Sequence, residues 1–379
     1  GRADGLLERD GMWVVEEIKL SSAHSAMRKE KQEKPEHWAQ LTVYCWLVAL
    51  EKGVDTVTGR LTKAGKDGTI YSEEEHDYSL EEAESFSLDL ITRFLDELKA
   101  GEQWRLIRDQ SIGEMEFPFQ VPRAGQMELV AEVQSICRQG GKLLAQAPTG
   151  LGKTMGVLFP AVKALAEGCA KKIFFLTAKT TGKSAAEQTL EYMRENGARV
   201  RSTTLTAKDR ICPVQTGNCQ PDRCPQFSRY MQLGKLAIKD ALNLQHGPEN
   251  FSREYIEDLA AEYDVCPFEL GLDLSVCSDV VIGDYNHALD PRARLVRFFE
   301  KQKGPWILLF DEAHNLVDRS RDIFSGTLAK RDIPSLIRKL RPVFPGTAEA
   351  LDAINQWFLD TFRELSGDTA DREAPHDLG

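Results

Sequence analysis

Ala147-Pro148-Thr149-Gly150-Leu151-Gly152-Lys153-Thr154 stands between a short apolar run, Leu143-Leu144-Ala145, and an apolar-periodic stretch from 155 to 166. Apolar run, glycine-containing turn and helix, in that order, predict a strand feeding a phosphate-binding loop. The main-chain amides of such a loop can wrap phosphates at a helix N-terminus, with Thr149, Gly150 and Gly152 forming the turn. Lys153 can reach the terminal phosphates and the Thr154 hydroxyl can hold Mg²⁺. Where the general pattern has Gly, this chain has Ala147.

Three further apolar runs follow, at 173–176, 280–282 and 306–310, with helical stretches between them. Continuous runs of this kind predict strands buried on both faces, and so an α/β fold with a parallel sheet covered by helices. The last run ends in Asp311-Glu312-Ala313-His314, which begins 157 residues after Thr154. Acids at the carboxyl end of a strand near a phosphate loop can serve as a second half-site. Asp311 would hold Mg²⁺ through water, and Glu312 would orient or deprotonate an attacking water. The two motifs together predict ATP hydrolysis with Mg²⁺.

With 379 residues the chain has room for two or three domains. No apolar run approaches the ~20 residues of a membrane helix, and no basic-then-apolar leader is visible, which predicts a cytoplasmic chain with no membrane partner. The net charge of -11 is unevenly spread. Residues 71–110 hold 12 acids against 4 bases, whereas residues 171–210 hold 9 bases against 4 acids. The second interval predicts a positive surface for a nucleic-acid backbone, built from Thr177-Ala178-Lys179-Thr180-Thr181 and extended by Lys183, Arg199, Arg201 and Lys208.

Eight cysteines are too few for a disulfide scaffold of this length, yet Cys212, Cys219 and Cys224 cluster, with Cys266 further on. The intervals are x6, x4 and x41, and prolines follow Cys212, Cys224 and Cys266. Four thiolates suit a [4Fe-4S] cluster or an all-cysteine zinc site, although the spacing matches no common zinc ribbon. Cys277 is the rival fourth ligand. Cys45, Cys137 and Cys169 lie in apolar helical surroundings and read as small buried residues.

A four-cysteine insertion between a phosphate loop and a DEAH tetrapeptide resembles the XPD/DinG family of iron-sulfur helicases in superfamily 2, whose loop tolerates Ala at the position of Ala147. Arg123-Ala124-Gly125-Gln126 is similar to that family's adenine-reading motif, and Asp284-Tyr285-Asn286-His287-Ala288-Leu289-Asp290-Pro291 to the segment before its DEAH strand. The resemblance covers 111 to about 320. It implies a RecA-like domain at 111–204 and 276–320, a helical iron-sulfur insertion at 205–275 with Cys266 as fourth ligand, and the start of a helical arch at 321–379. It further implies single-stranded and forked DNA as partners, 5′ to 3′ travel, a role in repair or replication, and a monomeric motor. The second half of such a motor, with its Ser-Ala-Thr and Gln-x-x-Gly-Arg-x-x-Arg segments, is not found after His314. The 379-residue piece alone is therefore expected to bind nucleotide weakly and not to unwind DNA.

Residues 1–110 carry a separate constellation. A strand is predicted at 13–20, a helix at about 38–50 and another at 80–99. Glu17 and Lys19, two apart on a strand, point to one side. With Asp4 they form the apparatus of phosphodiester hydrolysis, in which acids bind Mg²⁺ or Mn²⁺ and Lys19 positions the water. Gln40 and Tyr44 share a helix face that could close over the site. The set resembles the RecB-type branch of the PD-(D/E)xK nucleases, a restriction-endonuclease-like α/β fold with GxxD, ExK and QxxxY motifs. It implies exonuclease activity, and a further histidine upstream of Gly1; His24 and His37 read as surface histidines. The competing reading is a nucleic-acid-stimulated ATPase that remodels RNA or protein–nucleic acid complexes, with an inert nuclease-like domain.

Overall fold

The apolar runs at 173–176, 280–282 and 306–310 become three neighbouring strands of one sheet. The computed structural model describes residues 2–20, 35–214, 219–220, 223–300, 304–327 and 329–366, so His24 lies outside the described residues. Two sheets form. The first has the order β1 (Gly5–Arg9), β2 (Met12–Leu20), β3 (Thr56–Ala64), β4 (Ile70–Ser79), with β2 and β3 parallel and the outer pairs antiparallel. Helix α1 (Pro35–Lys52) packs Leu41, Cys45 and Ala49 against Val15, Val57 and Leu61 of this sheet.

Helix α2 (Leu80–Glu114) leaves the first sheet through a capping box, in which the Ser79 hydroxyl and the Glu82 carboxylate serve each other's main-chain amides. It runs unbroken through position 110, the domain boundary expected from the sequence. From Leu88 to Gln103 every residue is exposed, and beyond that Trp104, Arg108 and Ile112 are buried in the second body.

The second body follows α3 (Gln126–Gln139), α4 (Lys153–Ala166), β5 (Lys172–Leu176), α5 (Thr180–Glu195) and β6 (Ser202–Thr204). It continues with α6 (Pro225–Ala241), β7 (Asn250–Phe251), α7 (Arg253–Glu262), α8 (Pro267–Cys277), β8 (Val280–Gly283) and β9 (Trp306–Phe310). Helices α9 (Leu316–Phe324), α10 (Ile333–Leu340) and α11 (Pro345–Ser366) end the described chain. The sheet order is β7-β6-β8-β5-β9, parallel throughout, so the α/β expectation holds. Ile173, Phe174, Phe175 and Leu176 are all buried, each Ile, Leu or Phe being worth about 1.5–3 kcal/mol over an exposed state.

Two expectations are corrected here. Leu143-Leu144-Ala145 forms no strand; Leu144 is 89% exposed, and β9 is the sheet edge among the described residues. A three-residue apolar run fixes a strand only when a neighbour supplies ladder hydrogen bonds, and none does here. The cysteine-bearing interval is also not wholly outside the sheet, because its residues Asn250 and Phe251 pair with β6. Of the three cysteines read as buried, Cys45 is so, whereas Cys137 and Cys169 are only partly covered.

The joint between α2 and the second body centres on Asp279, which is 4% exposed. Its Oδ1 accepts from Arg108 Nη1 at 2.8 Å, and its Oδ2 from Trp104 Nε1 at 3.0 Å and the Arg201 amide at 2.9 Å. The Arg201 guanidinium lies 3.8 Å from the Trp104 ring centroid. Beside it the Lys172 ammonium, its pKa pushed down to about 8 by burial, donates to the carbonyls of Ser275, Val276 and Ser278.

Candidate functional site

The loop at 147–154 opens helix α4. Gly150 and Gly152 take φ of 86° and 83°, a left-handed conformation that L side chains rarely adopt. At Gly152 a Cβ would also stand 2.4 Å from Gln126 Nε2. Gln126, 1% exposed, donates from Nε2 to the Gly152 carbonyl at 3.2 Å and accepts from the Arg123 amide at 3.1 Å. Arg123 Nη1 donates to the Gly150 carbonyl. The Arg123–Gln126 segment thus braces the very loop it was expected to complement. Lys153 Nζ donates to the Ala147 carbonyl at 3.3 Å, while Thr149 and Thr154 stay at least partly accessible.

Asp311 follows β9, and its amide donates to Leu176 O at 2.9 Å. Burial holds its carboxyl above the usual carboxylate range, reinforced by Glu312 and opposed by the Glu312 amide, Lys153 and Thr177. A half-buried acid in this state gains most from a cation. Glu312 sits at φ 54°, one of three non-glycine residues with positive φ among the described residues. Thr177, Lys179, Thr181, Gly182, Asp311 and Glu312 line one open cleft. Thr177 Oγ1 donates to Asp311 Oδ2 at 3.5 Å, and a Cβ on Gly182 would come within 2.3 Å of Thr177 Oγ1. The segment expected at a nucleic-acid backbone therefore forms a wall of the acidic cleft.

Part of the predicted basic surface is engaged by the protein's own groups. Arg201 is buried on Trp104, Lys183 Nζ donates to Leu205 O at 2.9 Å, and Arg199 pairs with Glu249. Lys179 remains exposed. Counting charge along a chain cannot distinguish a cation facing water from one facing carbonyls or a carboxylate.

In the 284–291 segment, His287 Nδ1 accepts from the Asp284 amide at 3.0 Å, which requires a neutral ring. Burial, aided by Lys183, pushes its pKa down to about 4. Arg319 Nη2 reaches Asp284 at 3.3 Å, tying this segment to α9. Tyr285, fully buried, donates its hydroxyl to the carbonyls of Asp311 and Glu312. The sequence marked the segment but gave Tyr285 no role of its own, since the contact joins positions 26 and 27 residues apart.

Among the cysteines, Cys224 and Cys266 cap α6 and α8, each followed by proline at the first helical turn, and Cys212 ends the short helix Lys208–Ile211. Lys208 is held above its ordinary pKa by a hydrogen bond to Cys219, with Cys212 and Cys266 contributing at longer range. Among the described residues, no group of three His, Cys, Asp or Glu side chains is arranged to hold a metal ion; residues 215–218 and 221–222 beside Cys219 lie outside them. Cys277 instead lies near Lys172 and Arg201, and burial pushes its thiol up.

At the first sheet, Asp4 Oδ2 accepts from the Ile18 amide at 2.8 Å. Lys19 pairs with Glu17 and donates to Gln40 Oε1 at 3.3 Å, and Gln40 Nε2 in turn donates to Tyr44 OH at 3.3 Å. Glu17 is 4% exposed, and its Oε2 is buried with no hydrogen-bond partner. A desolvated carboxylate oxygen without a donor is costly, and an oxygen-seeking cation such as Mg²⁺ or Mn²⁺ fits it. His37 is partly buried.

Residues 189–333 match the DEAD_2 family. Among curated proteins, the chain is 24% identical over 281 residues to Regulator of telomere elongation helicase 1 of Rattus norvegicus, covering 60% of this chain and 21% of that protein. It is 27% identical over 176 residues to the Fanconi anemia group J protein homolog of Gallus gallus, covering 43% of this chain and 14% of that protein. The chain thus spans about a fifth or less of the length of these relatives. A solved structure titled XPD_Helicase aligns with 65% of this chain and 41% of its own, at 17% identity and TM-score 0.43. Among the described residues no helix is long and apolar enough to cross a membrane. Over the stretch that holds the acidic strand end and its cysteine-bearing insertion, the chain is similar to helicases of the DEAD_2 type.

Proposed function

We propose that this chain belongs to an ATP-driven DNA helicase whose motor is joined to a metal-dependent nuclease domain. The observation that carries the motor reading is a cleft lined by Asp311 and Glu312, with Lys153 of the glycine loop near enough to Asp311 to favour its charged form. Lys153 would bind the terminal phosphates, and Arg123 with Gln126 would hold the loop and read adenine. Thr154 and Asp311 would hold the Mg²⁺ that accompanies ATP, which would supply neutralisation of the phosphate charge. Glu312 orients water and takes its proton. The helicase names of the relatives support nucleic acid as the track, and the implied direction is 5′ to 3′. Single-strand-DNA-stimulated ATP turnover by the complete protein is the direct test; a turnover indifferent to DNA favours the remodelling ATPase instead.

For the first sheet, Asp4 and Glu17 would hold Mg²⁺ or Mn²⁺, which supplies a water of lowered pKa. Lys19, fixed between Glu17 and Gln40, positions that water and offsets developing charge. The unpartnered Glu17 oxygen supports a working site over an inert one. Glu17→Gln or Lys19→Ala is expected to abolish Mn²⁺-dependent cutting of single-stranded DNA, by about 10²-fold or more, with ATP turnover unchanged. Joint loss of both activities would mean that the site is misassigned.

Cys212, Cys219, Cys224 and Cys266 would hold a [4Fe-4S] cluster whose role is structural, shaping the insertion that parts duplex from single strand. Anaerobically purified protein is expected to contain iron and sulfide, and Cys266→Ser to lose both. Stoichiometric zinc in place of iron would reject the assignment.

A further inference from the structure

We propose that Tyr285 is a positioning residue for ATP hydrolysis: its buried hydroxyl fixes the main chain that aims the Asp311 and Glu312 carboxylates. The inference rests on the ATPase reading above. Strands β8 and β9 are not neighbours, because β5 lies between them. No ladder hydrogen bond can therefore join the end of β8 to the end of β9, and the Tyr285 phenol spans that gap. It starts two residues beyond β8, passes the end of β5, and donates to the carbonyls of Asp311 and Glu312, the latter at 3.1 Å.

The receiving chain needs such a hold. Glu312 occupies the left-handed region without being glycine, which costs about 1 kcal/mol. The conformation persists only where surrounding contacts fix it. The Glu312 carbonyl also accepts from the Asn315 amide and the Asn315 Nδ2, each at 3.0 Å. Tyr285 is the contact that reaches it from another strand. Asp311 continues β9 through its amide bond to Leu176 O, with its carboxylate at Thr177, and the left-handed turn that follows leaves Glu312 lining the same cleft.

The tyrosine is itself held from several sides. Its ring packs among Phe174, Leu176, Val281 and Phe298, with Phe310 5.9 Å away between centroids. The preceding Asp284 is pinned by Arg319 and by the amide of Asn286. Removing only the hydroxyl should leave the core packed and let the acidic turn drift.

The test uses the complete protein carrying Tyr285→Phe, with turnover, nucleotide binding and melting temperature measured side by side. The expected result is a kcat lowered about tenfold, KM and the Kd of a fluorescent ATP analogue within about twofold, and more Mg²⁺ needed for half-maximal turnover. Incorporation of 3-fluorotyrosine at 285, which keeps ring and donor, should restore kcat. A kcat within twofold of the parent overturns the inference. So does a joint fall of kcat, nucleotide affinity and melting temperature that 3-fluorotyrosine leaves unrepaired, since that is the mark of packing alone. A parent protein that hydrolyses no ATP defeats the underlying ATPase reading as well, so the two failures are told apart by the parent's own turnover.

Discussion

Glu312→Gln in the complete protein is expected to lower ATP turnover by about 10³-fold while nucleotide binding stays near the parent value. The carboxamide keeps the side chain's size and its place on the cleft rim, but it cannot take a proton from water. The left-handed turn at 312 is a main-chain property and survives the change. Lys153→Ala should behave differently: in the proposed role the lost charge would contact phosphate before and during reaction, so affinity should fall along with turnover. Steady-state hydrolysis and equilibrium binding of a fluorescent ATP analogue separate the two patterns. Turnover within tenfold of the parent for Glu312→Gln would place the proton acceptor elsewhere.

Asp279→Ala is expected to destabilise the motor body by about 4 kcal/mol, roughly a thousandfold in the folding equilibrium. The carboxylate has three donors, and Arg108 and Asp279 are 8% and 5% exposed as a pair. Removing the acid leaves the buried Arg108 guanidinium with only the more exposed Asp109 carboxylate, the Trp104 N–H without its acceptor and the Arg201 amide unpaired. An unpaired buried charge costs more than the pair contributes, which is why deleting one partner is so damaging. Asp279→Asn should fall between, since the amide oxygen still accepts while the charge is gone. Urea midpoints of the three proteins give the ranking, and a loss under 1 kcal/mol for the alanine variant would contradict it.

What the sequence showed clearly was local. The glycine loop, the DEAH turn and the Glu17–Lys19 and Gln40–Tyr44 pairs are each read from side chains a few positions apart on one element, where periodicity dictates direction. The second sheet followed from its unbroken apolar runs, and the failure at 143–145 marks the limit of that signal, since burial depends on neighbours that a run does not name. The positive interval is only partly legible for a related reason. Arg201, Lys183 and Arg199 carry charge in any count, yet their partners, Leu242 O, Leu205 O and Glu249, lie 22 to 50 positions away. Tyr285 and Asp279 were illegible on the same grounds, each being an ordinary residue whose meaning comes from contacts across the sheet.

The bare stretch of α2 has a practical meaning for anyone dissecting the enzyme. A clone of the motor that started at residue 111 would discard Trp104 and Arg108 and leave Asp279 facing a hole, whereas one that began near Gly101 would carry its own plug. Protease sites at Arg93 and Lys99 sit in the exposed turns, so trypsin meets the natural seam about ten residues before the place where sequence composition changes.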